Sequence, residues 1–169
     1  MRRAGLLATV TMTALLTLPA SPALAASPAI PASPATTAAA RSVHSVHGAG
    51  VSSLPDDTRR LSVEGRLDGD GAARGKLSFT HLSRSGLARF TAQVTCVQFK
   101  AEGRVEVSGV VLRGQTAGGT ALDGQPVAFT LDTAGAQHFS LPKFGAGAAG
   151  CGGGRPETVP VTQGGFRVR

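Results

Sequence analysis

The chain lacks Trp, Tyr and Asn altogether, and its only lysines are Lys76, Lys100 and Lys143. Surfaces that bind nucleic acids or sugars commonly stack rings on exposed aromatic side chains, so the absence of Trp and Tyr counts against both classes. The formal net charge is nevertheless +7, carried mainly by arginines that are spread along the sequence. Such a charge favours loose adhesion to an anionic cell-wall polymer or membrane surface, and we expect no nucleic-acid partner.

The N-terminal segment has the features of a secretory signal peptide. Arg2 and Arg3 precede an apolar run at residues 4–18, and small residues follow at alternate positions. The run is shorter than the roughly 20 residues that span a bilayer, so a retained anchor is the weaker alternative. We predict that residues 1–25 are removed and that the protein is secreted to the extracellular space. The paired arginines leave twin-arginine export open beside the general route.

The composition of the chain changes at residue 26 and again at Arg59. Residues 26–58 are rich in Ala, Pro, Ser and Thr and poor in large apolar side chains, which predicts a disordered linker. Whether this linker is retained after export stays open. Apolar residues recur at every second position from Arg59 onward, so we place a β-domain at residues 59–169. Without residues 1–25 the chain would keep 144 residues and a net charge of +5, which suits one domain.

The alternation after Arg59 predicts seven or eight short strands and no long helix. Asp-Gly pairs between the apolar runs favour the tight turns of hairpins. The predicted inward positions are Leu61, Val63, Gly65 and Leu67; Leu77 and Phe79; Phe90, Ala92, Val94 and Cys96; Val105, Val107, Gly109 and Val111; Val127, Phe129 and Leu131; Phe139 and Leu141; Val159 and Val161; and Phe166 and Val168. The expected fold is all-β, a single antiparallel β-barrel or sandwich.

The only two cysteines are Cys96 and Cys151. In an exported protein an even count argues for pairing, and two cysteines allow one intramolecular bridge. We predict that this disulfide closes the domain, with Cys96 pointing into the core from the same strand face as Phe90. A structural zinc would need more ligands than two distant thiols provide.

Sites for metals are poorly supported by the sequence. His44 and His47 lie three residues apart, but a structural zinc usually takes four ligands. Asp68 and Asp70 resemble the start of a calcium loop whose later ligands and terminal Glu are missing. We therefore predict no metal site and no cofactor.

Signatures of catalysis are also missing. No Gly-x-Ser-x-Gly turn is present, and pairing of the cysteines removes the thiol nucleophiles. The acids mostly fall in turns or on the polar side of strands, as solvated residues do. We predict that the protein is not an enzyme and has no catalytic residues. A weak enzyme would require His81 or His138 to approach an acid such as Glu106 or Asp132 within hydrogen-bond reach.

Short motifs between residues 63 and 168 resemble a group of exported actinobacterial β-domain proteins of unassigned function, sometimes called repetin-like. The segments that carry the resemblance are residues 92–97, 105–109, 124–130 and 138–141, Cys151 and residues 164–168. The resemblance implies the all-β fold and transfers no functional residue.

Two functions are compatible with these observations. The first is a monomeric, non-catalytic domain that acts by surface contact with an envelope component or another protein. The alternative is a small β-barrel that carries an apolar ligand in its interior, with Gly65, Ala88, Ala92 and Gly109 as the residues that leave space. A cavity of several hundred Å³ lined by Phe and Val would favour the carrier.

Overall fold

The computed structural model describes residues 43–151 and 156–169, which form an all-β, antiparallel domain. A 3-10 turn at Ala101–Gly103 and another at Ala146–Cys151 are the helical elements of these residues. The strands are β1 (His44–Leu54), β2 (Asp57–Leu67), β3 (Ala73–Ser83), β4 (Gly86–Phe99), β5 (Arg104–Gln115), β6 (Pro126–Asp132), β7 (His138–Ser140), β8 (Lys143–Phe144), β9 (Thr158–Pro160) and β10 (Gln163–Val168).

All ten strands belong to one sheet that curls into a half-barrel. The strand order is β10-β1-β2-β3-β4-β5-β6-β7-β9, and the short β8 pairs with β6. The predicted runs correspond to β2–β7, β9 and β10, so these strands are confirmed. Most predicted inward residues are buried, but Val168 at the end of β10 is 42% exposed. The count of seven to eight strands was too low because it omitted β1 and β8.

Strand β1 corrects the predicted boundary between linker and domain. Residues 44–58 were assigned to the linker, but β1 pairs with β2 from His44 to Leu54. Its inward positions carry small residues such as Gly50 and Ser52, which give no strong apolar period. A Cβ at Gly50 would lie 2.9 Å from the ring of Phe166, so that ring supplies the bulk that β1 lacks. The predicted signal peptide and the linker up to residue 42 lie outside the described residues.

Phenylalanine rings fill the interior of the half-barrel. Phe129 has ring centroids 5.4 Å from Phe79 and 6.2 Å from Phe90, and all three side chains are buried. Gly65 and Ala92, proposed as space-makers, lie in this interior beside larger neighbours: a Cβ at Gly65 would contact the Val97 side chain at 3.1 Å. This packing counts against an apolar cargo in the interior.

The predicted disulfide between Cys96 and Cys151 is confirmed, with Cα atoms 5.7 Å apart. Its predicted direction was wrong, because Cys96 does not point into the core. A register shift between Val94 and Cys96 inserts Thr95 as an extra residue, and such a bulge reverses the facing of the later residues of the strand. Val97 consequently takes the inward position, and Cys96 meets the 3-10 turn on the outer side of the sheet.

The side chain of Gln137 links the two ends of the strand order. Its Oε1 accepts a hydrogen bond from Phe166 N–H at 2.7 Å, and its Nε2 donates to the Phe166 carbonyl at 2.9 Å. The rings of Phe139 and Phe166 pack edge-on beneath this contact, 6.3 Å apart. The side-chain amide of Gln137 therefore makes the two backbone hydrogen bonds at Phe166 that a neighbouring strand would otherwise make with β10.

Candidate anion-binding face

Two rows of polar side chains cross strands β2–β5 on the outer side of the sheet. The first row is set by the pairings of Arg60 with Thr80, Thr80 with Arg89, and Arg89 with Gln115. The second row lies two residues further along each strand. Together the rows form what we call the arginine–hydroxyl face: Arg60, Ser62, Ser78, Thr80, Arg89, Thr91, Arg113 and Gln115.

A cleft of about 610 Å³ occupies the β3–β5 part of this face. Arg89 and Arg113 line it from the sheet, and Gly119 and Asp123 line it from the loop that follows β5. Its size is within the range of common ligand sites, and its lining combines polar and apolar surface. The arginines and hydroxyls in this lining make the cleft suited to a ligand that carries polar groups.

Gly114 lets the strands approach closely at the floor of the cleft. A Cβ at this position would collide with the Cβ of Phe90 and would lie 2.8 Å from the Arg89 carbonyl. The Gly114 N–H donates to Asp123 Oδ1 at 2.8 Å, which fixes the loop against the strand. The loop therefore forms a defined wall of the cleft.

The arginines of this face differ from others in their partners. Arg66 and Arg74 both pair with Asp68, at 2.6 and 3.1 Å. By contrast, within residues 43–151 and 156–169 no carboxylate pairs with the guanidinium groups of the arginine–hydroxyl face. A guanidinium offers a planar set of donors that matches a phosphate or carboxylate, and the hydroxyls beside it can bind a polyol.

Sequence reasoning missed this face because its arginines lie far apart in the chain. Arg60, Arg89 and Arg113 were counted as dispersed, yet strand pairing places them on one surface. The alternation already indicated that Arg60 and Arg89 point outward. It gave Arg113 the inward parity of Val111, and the register shift that inserts Leu112 into β5 reverses this. What it lacked was the register between strands, which depends on the turns and on the bulges of β4 and β5.

A second polar cluster lies at the end of the half-barrel where β2 begins. His81 Nε2 is 3.0 Å from Asp57 Oδ1, and Arg59 Nη2 donates to Asp57 Oδ2 at 2.6 Å. The acid that meets His81 is thus neither Glu106 nor Asp132, and Asp57 had been assigned to the linker. Asp57 accepts hydrogen bonds from both His81 and Arg59, so most polar groups of the cluster already have partners within it. Within the described residues, Arg59 Nε is buried and has no hydrogen-bond partner.

His138 also fails to form the proposed acid contact. It lies opposite Asp132 in the β6–β7 pairing, but its Nδ1 is 2.8 Å from the Ala136 carbonyl. Asp132 instead accepts a hydrogen bond from Arg104 Nε at 3.4 Å. The pair offers no arrangement in which imidazole and carboxylate act together.

Glu106 departs from the expectation that the acids are solvated. Only 8% of this residue is exposed, because the turn Ala146–Cys151 covers the outer side of β5 and β6. Lys100 Nζ lies 3.8 Å from the Glu106 carboxylate and balances its charge. Glu106 is therefore part of a covered surface and is not open to a ligand.

Three of the four residues considered for metals, His44, Asp68 and Asp70, have other contacts. The ring of His44 packs against Phe99 at 5.5 Å. Asp68 binds two arginines, and Asp70 Oδ1 accepts the Ala72 N–H at 3.0 Å within the turn. Over the part of the chain that the structure describes, no group of three His, Cys, Asp or Glu side chains is placed to hold a metal ion.

Comparison with protein-family models, curated proteins and solved structures finds no match for this chain. Within residues 43–151 and 156–169, no helix has the length and apolar character needed to cross a membrane.

Proposed function

We propose that this protein is a secreted, monomeric and non-catalytic contact domain that binds an anionic envelope polymer on the arginine–hydroxyl face. The observation that carries the proposal is the set of three arginines without carboxylate partners in the described residues, among side chains that carry hydroxyls. The expected ligand is a hydroxyl-bearing chain with repeated phosphate or carboxylate groups. The contact is weak for any single repeat and gains strength over several repeats.

The spacing of the arginines supports a ligand with repeated charges. Neighbouring strands lie about 4.8 Å apart, so Arg60 and Arg89, two strands apart, are separated by roughly 10 Å at their backbones. Arg113 is one strand and two residues from Arg89, or about 8 Å away. A flexible polyanion could meet these positions with successive groups.

Export is part of the proposal. It is supported by the signal-peptide pattern of residues 1–25 and by the Cys96–Cys151 disulfide, since such bonds persist in oxidising compartments. The resemblance to exported actinobacterial β-domains also favours export, and this resemblance stays a prediction. The carrier alternative is less favoured because Phe79, Phe90 and Phe129 fill the interior.

The proposal is tested by titrating the protein with teichoic acid, a polyol joined by phosphodiesters, and following binding by calorimetry. The double variant Arg89→Gln/Arg113→Gln is expected to bind about tenfold more weakly, because two charge-assisted contacts are lost. The matched control, Arg66→Gln/Arg74→Gln, removes the same charge at exposed arginines that already pair with Asp68. It is expected to lose less than about twofold, and wild-type affinity should fall with added salt.

Two results would contradict the proposal. Equal losses in both double variants would mean that net charge alone drives binding. Equal binding of neutral dextran and teichoic acid would mean that the arginines do not select an anion.

A further inference from the structure

Exposed leucines gather at one end of the half-barrel. The hairpins β1–β2 and β3–β4 turn at this end, and the Asp56 carboxylate pairs with Arg84 between their turns. Leu54 and Leu82 are 53% and 55% exposed, and Leu87 is 38% exposed. Leu82 and Leu87 lie directly opposite each other on the outer side of β3 and β4. We call Leu54, Leu82 and Leu87 the leucine end.

The leucine end adjoins two of the arginines that have no carboxylate partner. Arg89 is two residues from Leu87 on β4 and points to the same side of the sheet. Arg60 pairs with Thr80, which is likewise two residues from Leu82. Two residues of a strand span about 7 Å, so the arginines form a level roughly 7 Å behind the leucines.

This order matches the layers of an anionic bilayer. Apolar groups of peripheral proteins enter about 5–10 Å into the boundary between headgroups and acyl chains, while basic groups remain near the lipid phosphates. Asp56 and Asp57, the acids of the β1–β2 turn region, are bound to Arg84 and Arg59 and so oppose the approach less. The leucines therefore match the depth of the lipid interface, and the arginines behind them match the depth and charge of the lipid phosphates.

We propose that the leucine end docks on an anionic lipid bilayer, with Leu82 and Leu87 in the interface and Arg60 and Arg89 at the phosphates. This goes beyond the proposed function, since the partner is a lipid surface and the decisive residues are leucines outside the cleft. A protein partner is less favoured, because protein interfaces usually centre on aromatic anchors and this end presents leucines on hairpins. Docking in this way leaves Arg113 and the far part of the cleft away from the lipid.

The absence of Trp allows a direct test with a single fluorescent reporter. Leu87→Trp places the only indole of the chain at the leucine end, and Leu112→Trp serves as the matched control. Leu112 is 58% exposed on the same side of the sheet but lies in a neighbouring cleft with Ser78 and Thr91, away from the turns of the two hairpins. The full chain is mixed with vesicles of phosphatidylglycerol and phosphatidylcholine that contain brominated lipid, which quenches nearby indoles.

The expected result is a blue shift and quenching for Leu87→Trp and neither change for Leu112→Trp. Because both variants carry identical N-terminal residues, the difference between them reports on position 87. The proposal is overturned if the two indoles respond alike, if position 87 does not respond, or if vesicles of phosphatidylcholine alone give the same response.

A second measurement separates this proposal from polymer binding. Leu82→Ser/Leu87→Ser is expected to weaken vesicle binding about tenfold through lost apolar burial, while teichoic acid binding stays unchanged. Arg113→Gln is expected to do the reverse. If the leucine variant binds vesicles as wild type does, the docking proposal fails and the proposed function stands. If Arg113→Gln leaves polymer binding unchanged, the proposed function is weakened while the docking proposal is unaffected.

Discussion

The outer side of strand β5 is divided into two halves that have different surroundings. In the covered half, residues 104–109, Glu106 is 8% exposed and Ser108 is 1% exposed. In the open half, residues 110–115, Leu112 is 58% exposed, and Arg113 faces the cleft. Both halves place polar side chains outward, although a register shift at Leu112 changes the alternation within the open half. The difference shows that outward polar residues can serve either internal packing or a ligand, depending on whether another segment covers them.

The covered half is held by the turn Ala146–Cys151. The Cys151 N–H donates to Ser108 Oγ at 3.2 Å, and the bond to Cys96 fixes the turn to β4. Ala148 of the turn is fully buried. The turn and its disulfide therefore form a second, smaller packed layer on the outer side of the sheet.

The largest effect that would sharpen this comparison comes from removing the disulfide. Cys96→Ala/Cys151→Ala is expected to lower the free energy of unfolding by about 2–4 kcal/mol, as is typical for a bridge of this kind. Urea denaturation checks the value. A loss below about 0.5 kcal/mol would mean that the covered half does not depend on its clamp.

A smaller effect is expected from one buried hydroxyl beside the covered half. Ser140 is fully buried, and its Oγ accepts the Thr130 N–H at 2.9 Å. Ser140→Ala leaves that donor without a partner and should cost about 1–3 kcal/mol. The matched change Ser78→Ala removes an exposed hydroxyl and should alter stability by less than about 0.5 kcal/mol. Equal costs at the two serines, measured by urea denaturation, would break the distinction between covered and open surfaces.

The smallest effect is expected at the open half itself. Arg113→Gln should change the free energy of unfolding by less than about 0.5 kcal/mol, because its guanidinium has no carboxylate partner in the described structure. Thermal unfolding without ligand provides the measurement. A clear loss of stability would assign Arg113 a structural role and leave the cleft with one arginine fewer for binding.

Much of the fold could be predicted because strand alternation is local. Leu61, Val63 and Phe79 are buried as their spacing requires, and the pairing of Cys96 with Cys151 follows from their number alone. The direction of Cys96 could not be predicted in this way. The extra residue Thr95 reverses the facing after it, and the sequence around it contains no feature that marks a bulge.

The structure of β1 and of the arginine–hydroxyl face depends on contacts between residues that are far apart in the chain, and the sequence pattern does not reveal these contacts. Gly50 and Ser52 form a strand because Phe166 and the residues of β2 pack against them. Their own composition resembles that of a linker, which is why this strand was not predicted. Arg60, Arg89 and Arg113 converge through the registers of three strand pairs. His81 meets Asp57 by the same means, across the β2–β3 pairing.

The central claim is that the open half of the outer surface binds the polymer and the covered half does not. The most direct test follows the backbone amide NMR signals of the protein during a titration with teichoic acid. The account predicts shifts at Arg89, Gly114 and Asp123, with Glu106, Ser108 and Thr130 unchanged. Shifts that centre on the covered residues, or no shifts at all, would contradict it.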